Sequence, residues 1–370
     1  MLHPIVQKLA WLLMALLTGR AIAQAVPTGD TLTQVSVVDA RVGTAVPAVR
    51  WELGPTGTRA SLRGLCAVND RVVWASGSDA TVIRSENGGS SWRECGPAGY
   101  GQLEFRSIHA WSAARACIAS AGTPAIIVLT EDGGDSWKEV YRNESPLAFF
   151  DALRFASVEH GMAFGDPVDG RLLIVESSDM ARTWQAIASE LVPLSLEGEA
   201  GFAASNSSLL LTASGQAWVG TGGVTRNHSR IFIRDTWQSA WRVRECSLPS
   251  APTQGVFSIA SNGTILVATG GDYRPEEKSP LSAVYSLDSG QSWFAAQTPP
   301  SGFRSAVTEL PPTALPPGFI ATGPDGSDFS AEGRNWTAFS QVGFHALATS
   351  TTQVFAVGSS GRFGVLRFSE

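Results

Sequence analysis

Three observations predict an all-β fold of repeated four-stranded units. An eight-residue turn pattern recurs at near-constant spacing. Each copy ends on a tryptophan that opens a strand, and three short apolar strands precede it. The composition suits turns and sheets, with 38 Gly and 12 Trp in 370 residues and only 16% charged. The pattern is Ser/Thr-x-Asp/Asn-x-Gly-x-Ser/Thr-Trp. It reads SENGGSSW from Ser85 to Trp92, TEDGGDSW from Thr130 to Trp137 and SLDSGQSW from Ser286 to Trp293. A fourth copy, SSDMARTW from Ser177 to Trp184, lacks only the glycine. Each slot has a physical role. Asn87, Asp132, Asp179 and Asp288 can accept bonds from turn N–H groups, while Gly89, Gly134 and Gly290 can take φ > 0. Hydroxyls such as Ser85 and Thr130 can tie down the strand ends. The indoles Trp92, Trp137, Trp184 and Trp293 supply large apolar rings for packing.

Taken in order, the chain opens with a targeting signature. A weakly positive start (His3, Lys8) precedes the apolar run Leu9 to Leu17 and the small-residue site Ala21-Ile22-Ala23. This predicts a cleaved signal over residues 1–23 and an exported protein, periplasmic or secreted. The run is too short to span a bilayer, and no other stretch reads as a span. Cleavage removes Lys8 and Arg20, leaving 25 basic and 33 acidic residues and a formal charge of −8. That balance argues against a nucleic-acid partner. Residues 24–370 read as a single domain.

Trp51-Glu52-Leu53 resembles the strand that follows each turn, yet its own three preceding strands are missing. From Leu62 the four-strand sentence repeats: an apolar inner strand, a small-residue strand ending in Gly or Ser, a third strand into the turn, and a fourth opened by Trp. The inner strands are read at Leu62 to Val68, Phe105 to His109, Phe150 to Phe155, Phe202 through Leu209 to Thr212, Val256 to Ala260, Phe303 to Thr308 and Phe344 to Ala348. In the fourth and sixth units the turn is degenerate (RDTWQSAW, SAEGRNW) but Trp241 and Trp336 remain. The Trp-to-Trp steps along 92, 137, 184, 241, 293 and 336 are 45, 47, 57, 52 and 43 residues, the length of a propeller blade. The seventh unit has three strands and then the chain ends. The surplus Trp51 strand fits the missing place, so a seven-bladed β-propeller sealed by its N-terminal strand is predicted, which removes two open edges. Pro311 to Pro317 is expected to be a solvent loop in blade six. Cys66, Cys95, Cys117 and Cys246 fall on different strands or blades and are expected to be unpaired core residues.

The turn resembles the Asp-box, or BNR repeat, of β-propellers. Leu62-Arg63-Gly64-Leu65, Trp74-Ala75-Ser76-Gly77 and SENGGSSW are together similar to the photosystem II stability/assembly-factor-like propellers. Gly165-Asp166-Pro167 with Gly170-Arg171, and Gly270-Gly271-Asp272-Tyr273, resemble that family's non-photosynthetic bacterial branch. The resemblance implies an exported, non-catalytic scaffold that binds other proteins. No feature ties the chain to a photosystem.

The turns themselves are expected to be structural and to lie at the outer edge. The loops joining second and third strands lie on the opposite face, where propellers bind ligands. In blades three to five they read as enlarged and polar: Gly165 to Arg171, Gly222 to Arg230 and Gly270 to Pro280. Asp166, Asp169, Arg171, Arg226, His228, Arg230, Asp272, Tyr273, Arg274 and Glu276, with Glu277 and Lys278, are the candidate binding residues. Another protein is the expected partner, with a glycan as the alternative. The rival reading is a glycoside hydrolase, sialidase-like or otherwise, using Asp166 and Asp272 as facing carboxylates or Tyr273 beside Glu276. No catalytic residue is assigned. No metal or cofactor is expected: the five His residues show no ligand spacing, and there is neither Cys-x-x-Cys nor a Gly-x-Gly-x-x-Gly between strand and helix.

Overall fold

A computed structural model describes residues 49–274, 280–314 and 316–368. The signal expectation at residues 1–23, and Glu276, Glu277 and Lys278, lie outside them. Among the described residues there are seven antiparallel four-stranded sheets. Blade one comprises Leu62–Ala67, Val73–Gly77, Val82–Ser85 and Arg93–Glu94, in that order from the channel outward. The seventh blade takes Ala346–Thr349, Val354–Val357 and Phe363–Phe368 from the C-terminus, and Val49–Gly54 as its outer strand. Val49 pairs with Phe368 and Gly54 with Phe363, so the ring closes as the surplus Trp51 strand predicted. Among the described residues no helix is long and apolar enough to cross a membrane.

Sequence dictates which strands go where. Second and third strands are covered on both faces by neighbouring blades, and they read as continuous apolar or small runs. Ala116–Ser120 and Ala125–Thr130 are buried at every position. Outer strands face water, and Arg93–Glu94 and Gln185–Ala186 are exposed throughout. Among the described residues the apolar side chains form seven inter-blade cores, and each holds one of the strand-opening tryptophans: Trp51, Trp92, Trp137, Trp184, Trp241, Trp293 or Trp336. The free cysteines Cys95, Cys117 and Cys246 are buried, and Cys66 is half-buried.

In the repeated turn the side chains bond to the turn's own backbone. Ser85 Oγ accepts from Gly89 N at 2.8 Å, and Asn87 Oδ1 accepts from Ser91 N at 2.9 Å. The same pair of bonds recurs at Thr130/Gly134 and Asp132/Ser136, and at Ser286/Gly290 and Asp288/Ser292. In the copy without glycine, Ala181 adopts φ +66° and still donates to Ser177 Oγ at 3.0 Å.

Two sequence expectations need correction. Gly165 to Arg171 is not an enlarged loop. Strand Gly161–Val168 runs straight into Arg171–Ser177 through Asp169-Gly170, at φ +52° and +76°. Asp-Gly is a preferred two-residue hairpin turn for that reason. The inner strand of blade four is also far shorter than Phe202 to Thr212, spanning only Leu209–Leu211. Ser205, Asn206 and Ser207 spend their side chains on bonds to other blades, and Asn206 sits at φ +61°. The segment from Ile187 to Ser208 instead forms a strap: residues 187–200 follow blades three and four, and Gly201 to Ser207 crosses the channel. Asn206 bonds Leu153 N of blade three (2.8 Å) and Ile108 O of blade two (2.9 Å). Ser205 Oγ donates to Ser305 O of blade six at 2.7 Å, and Ser207 meets Ser258 of blade five at 2.7 Å.

Candidate binding site at the channel mouth

The strap turns the channel into a cup. A cavity of about 380 Å³ opens on the face opposite the repeated turns, with Gly201 to Ala204 of the strap in its lining. Four of its charged and aromatic lining residues come from β-bulges. Register shifts fall between Leu62 and Gly64, Phe105 and Ser107, Val256 and Ser258, and Gly165 and Pro167. The extra residues are Arg63, Arg106, Phe257 and Asp166, and all four line the cavity. A bulge re-aims a side chain out of the alternation of its strand. The close chain approach beside the bulges needs glycine. A Cβ on Gly165 would lie 1.5 Å from Phe149 O, and one on Gly77 would lie 2.1 Å from Ser61 O.

One wall is cationic. Arg63 Nη1 and Arg106 Nη1 each reach a strap carbonyl, Ala204 O and Ala203 O, at 3.4 Å. Arg106 is ion-paired with Glu104 at 2.6 Å. Burial, and then the neighbouring Arg106, push the Arg63 guanidinium down to about 10. His345 Nδ1 donates to Leu62 O at 3.2 Å, and burial, with Arg63 nearby, lowers its imidazole to about 4. It is therefore neutral at pH 7, with Nε2 left as an acceptor.

The other wall is aromatic. Phe202 stacks on Phe257 at 3.8 Å, and Phe257 meets Tyr273 at 6.2 Å and Phe303 at 4.7 Å edge-on. Tyr273 is half exposed at the rim. Between the walls sit Asp151 and Asp166. Asp166 Oδ1 accepts from Gly201 N at 2.9 Å, and a Cβ on Gly201 would lie 2.2 Å from Asp151 Oδ2. Burial, then the Asp166 charge, push Asp151 well above the usual carboxylate range. Burial also raises Asp166, partly offset by the Gly201 N–H.

The candidate residues named from sequence divide by position. Asp166 and Tyr273 line the cavity. Arg171 and Arg230 grip the strap from outside: Arg171 bonds Val192 O, while Arg230 bonds Leu194 O at 3.1 Å and Glu199 at 3.0 Å. Arg226 pairs with Glu245 at 2.6 Å, and His228 Nδ1 lies 3.3 Å from Cys246 O. Asp169 stands exposed at its hairpin turn. Burial pushes Asp272 upward, but bonds from Arg274 (2.8 Å) and Gln254 (2.9 Å) outweigh it and hold the carboxyl below its ordinary range. Arg63, Arg106, Asp151 and the strap were not among the candidates. A sequence signal for them exists: Leu62-Arg63, Phe105-Arg106, Phe150-Asp151 and Phe344-His345 each put a polar residue after the apolar residue at which the sequence reading starts an inner strand. Among the described residues no three His, Cys, Asp or Glu side chains converge as metal ligands.

No protein-family model matches the chain, and no curated protein matches it in sequence. Solved structures do resemble it in fold. YCF48 bound to D1 peptide superposes with a TM-score of 0.59 at 16% identity, covering 86% of this chain and 95% of that one. YCF48 from Cyanidioschyzon merolae gives 0.58 at 13% identity, over 86% and 98%. Virginiamycin B lyase from Staphylococcus aureus gives 0.61 at 12% identity, over 87% and 100%. At these identities the likeness is one of fold: the chain is a seven-bladed β-propeller.

Proposed function

We propose that this chain is an exported, non-catalytic scaffold that binds a protein partner over the channel mouth, taking an extended segment of it into the cavity. The observation that carries this reading is the set of four bulges, which aim two guanidiniums, a carboxyl and an aromatic ring into one cup. Such a mixture suits a peptide, which presents carboxylate, amide and apolar groups together. The fold shared with YCF48, solved with a D1 peptide, supports the same reading. From Gly165-Asp166-Pro167 with Gly170-Arg171, and Gly270-Gly271-Asp272-Tyr273, we infer that the chain is of the non-photosynthetic branch of the photosystem II stability/assembly-factor-like propellers. Asp-box turns fit this placement as structural elements.

A hydrolase would need two carboxyls facing a gap of about 5–10 Å. Asp166 instead holds the strap at Gly201 N, Asp151 is buried against Gly201 with no hydrogen-bond partner for its Oδ2 among the described residues, and Asp272 is committed to Arg274 and Gln254. The scaffold reading is therefore the better one. Export rests on residues 1–23, and protein recovered from the periplasm should begin at Gln24. Binding is tested by partner capture with the full chain, wild type beside Arg63→Ala, Tyr273→Ala and the outer-strand control Lys138→Ala. Partners lost from the first two and kept by the control support the proposal. Equal capture by all four proteins refutes it.

A further inference from the structure

The degenerate turn of blade four makes a second cavity, on the opposite face from the channel mouth. It holds about 450 Å³ between the turns of blades three and four. Arg234 occupies the slot where the regular turns carry Ser or Thr. It is 1% exposed, pairs through Nη1 with Glu176, and donates from Nε to Gly215 O at 3.3 Å. Its Nη2 is buried and has no acceptor among the described residues. The guanidinium lies over Trp237 at 5.1 Å and over Trp241 at 5.0 Å. Trp237 lines the cavity beside the His160 ring, 5.6 Å away. Gln185 and Gln238, both exposed, add amides at the rim.

We propose that this cavity binds a neutral hexopyranose, as one unit of a glycan, with Glu176 and Arg234 on neighbouring hydroxyls and Trp237 against the ring. A guanidinium N–H beside a carboxylate is a donor next to an acceptor. Two adjacent sugar hydroxyls match that pair, one accepting from Arg234 and one donating to Glu176. The two charges cancel, so the site gives a formal anion or cation no advantage. Trp237 offers an apolar edge for ring C–H groups. The regular turns spend their hydroxyls on their own backbone, whereas blade four has replaced that bonding with a side chain reaching back to blade three.

The test is titration of the full chain with methyl α-mannoside, methyl β-galactoside, methyl β-glucoside and N-acetylglucosamine, with glucuronate as the anionic comparison. Saturation-transfer NMR and tryptophan fluorescence report binding. At least one neutral sugar should saturate, and Glu176→Gln should weaken it by at least about tenfold. Trp237→Phe should remove the fluorescence change. Gln238→Ala, on an exposed side chain whose loss leaves the core intact, should weaken binding without lowering the melting temperature. The proposal is overturned if no neutral sugar saturates, if glucuronate alone binds, or if Glu176→Gln and Gln238→Ala both bind as wild type does. Partner capture at the channel mouth should be unchanged in Gln238→Ala.

Discussion

Asn206 is the residue on which the strap turns, and replacing it gives a stability change that can be worked out beforehand. It is fully buried and sits at φ +61°, where Asn is tolerated and Ala is strained by about 1–2 kcal/mol. Its side chain satisfies two buried backbone groups of other blades, Leu153 N at 2.8 Å and Ile108 O at 2.9 Å. Each group left unpaired costs about 1–3 kcal/mol. Asn206→Ala should therefore destabilise by about 3–8 kcal/mol, the sum of both effects. Asn206→Gly removes the strain but not the unpaired groups, so it should fall about 1–2 kcal/mol short of Ala. Asn206→Asp keeps an acceptor for Leu153 but sets an oxygen against Ile108 O and buries a charge, so it should be at least as damaging as Gly. Urea unfolding followed by tryptophan fluorescence measures all three. If Asn206→Ala unfolds within about 0.5 kcal/mol of wild type, as an ordinary surface change does, the strap is not held as described.

Two further outcomes follow from the ring and the cup. Trp51 is 8% exposed, meets Phe344 edge-on at 4.9 Å and donates to Ser327 Oγ of blade six at 3.0 Å. Trp51→Ala should cost about 3–5 kcal/mol, and Trp51→Phe markedly less, by thermal melting. Asp151 has its carboxyl raised above the ordinary 3.8 by burial and by Asp166, against the opposing pull of Arg106. Below that value both folded and unfolded chains hold the proton. As pH rises above it, the unfolded chain gives the proton up first, so Asp151 makes stability fall with rising pH until the folded carboxyl itself ionises. Asp151→Asn should remove that fall, so its melting temperature should gain on wild type from about pH 4 upward. A gap that stays constant with pH would contradict the assignment.

Much of the fold was legible because its periodicity is carried by local chemistry. Each turn needs an Asn or Asp acceptor and a left-handed residue, and each outer strand needs a ring to close the gap to the neighbouring blade. These requirements repeat in Asn87, Gly89 and Trp92 and in their counterparts. The surplus Trp51 strand then identified the closure. The cup was less legible, since it depends on contacts between distant blades. Arg63 and Arg106 look like ordinary inner-strand positions until a one-residue bulge turns them into the cavity. Ser205 to Ser208 read as the start of a strand because an apolar run follows, and only their partners in blades two, three, five and six reveal a strap. Arg171 and Arg230 were legible as polar loop residues, but their grip on the strap was not. Asp166 and Tyr273 were found because they lie at the ends of second strands, where the chain meets the mouth.

The most direct test of binding at the channel mouth is site-specific photo-cross-linking in the full chain. A benzophenone amino acid at Tyr273, half exposed on the cavity rim, should form a covalent adduct with the partner. The same group at Lys138, on the exposed outer strand of blade two, should not. Arg63→Ala in the Tyr273 background should abolish the adduct. An adduct at Lys138 and none at Tyr273 would place the partner on the wrong surface and contradict the scaffold account.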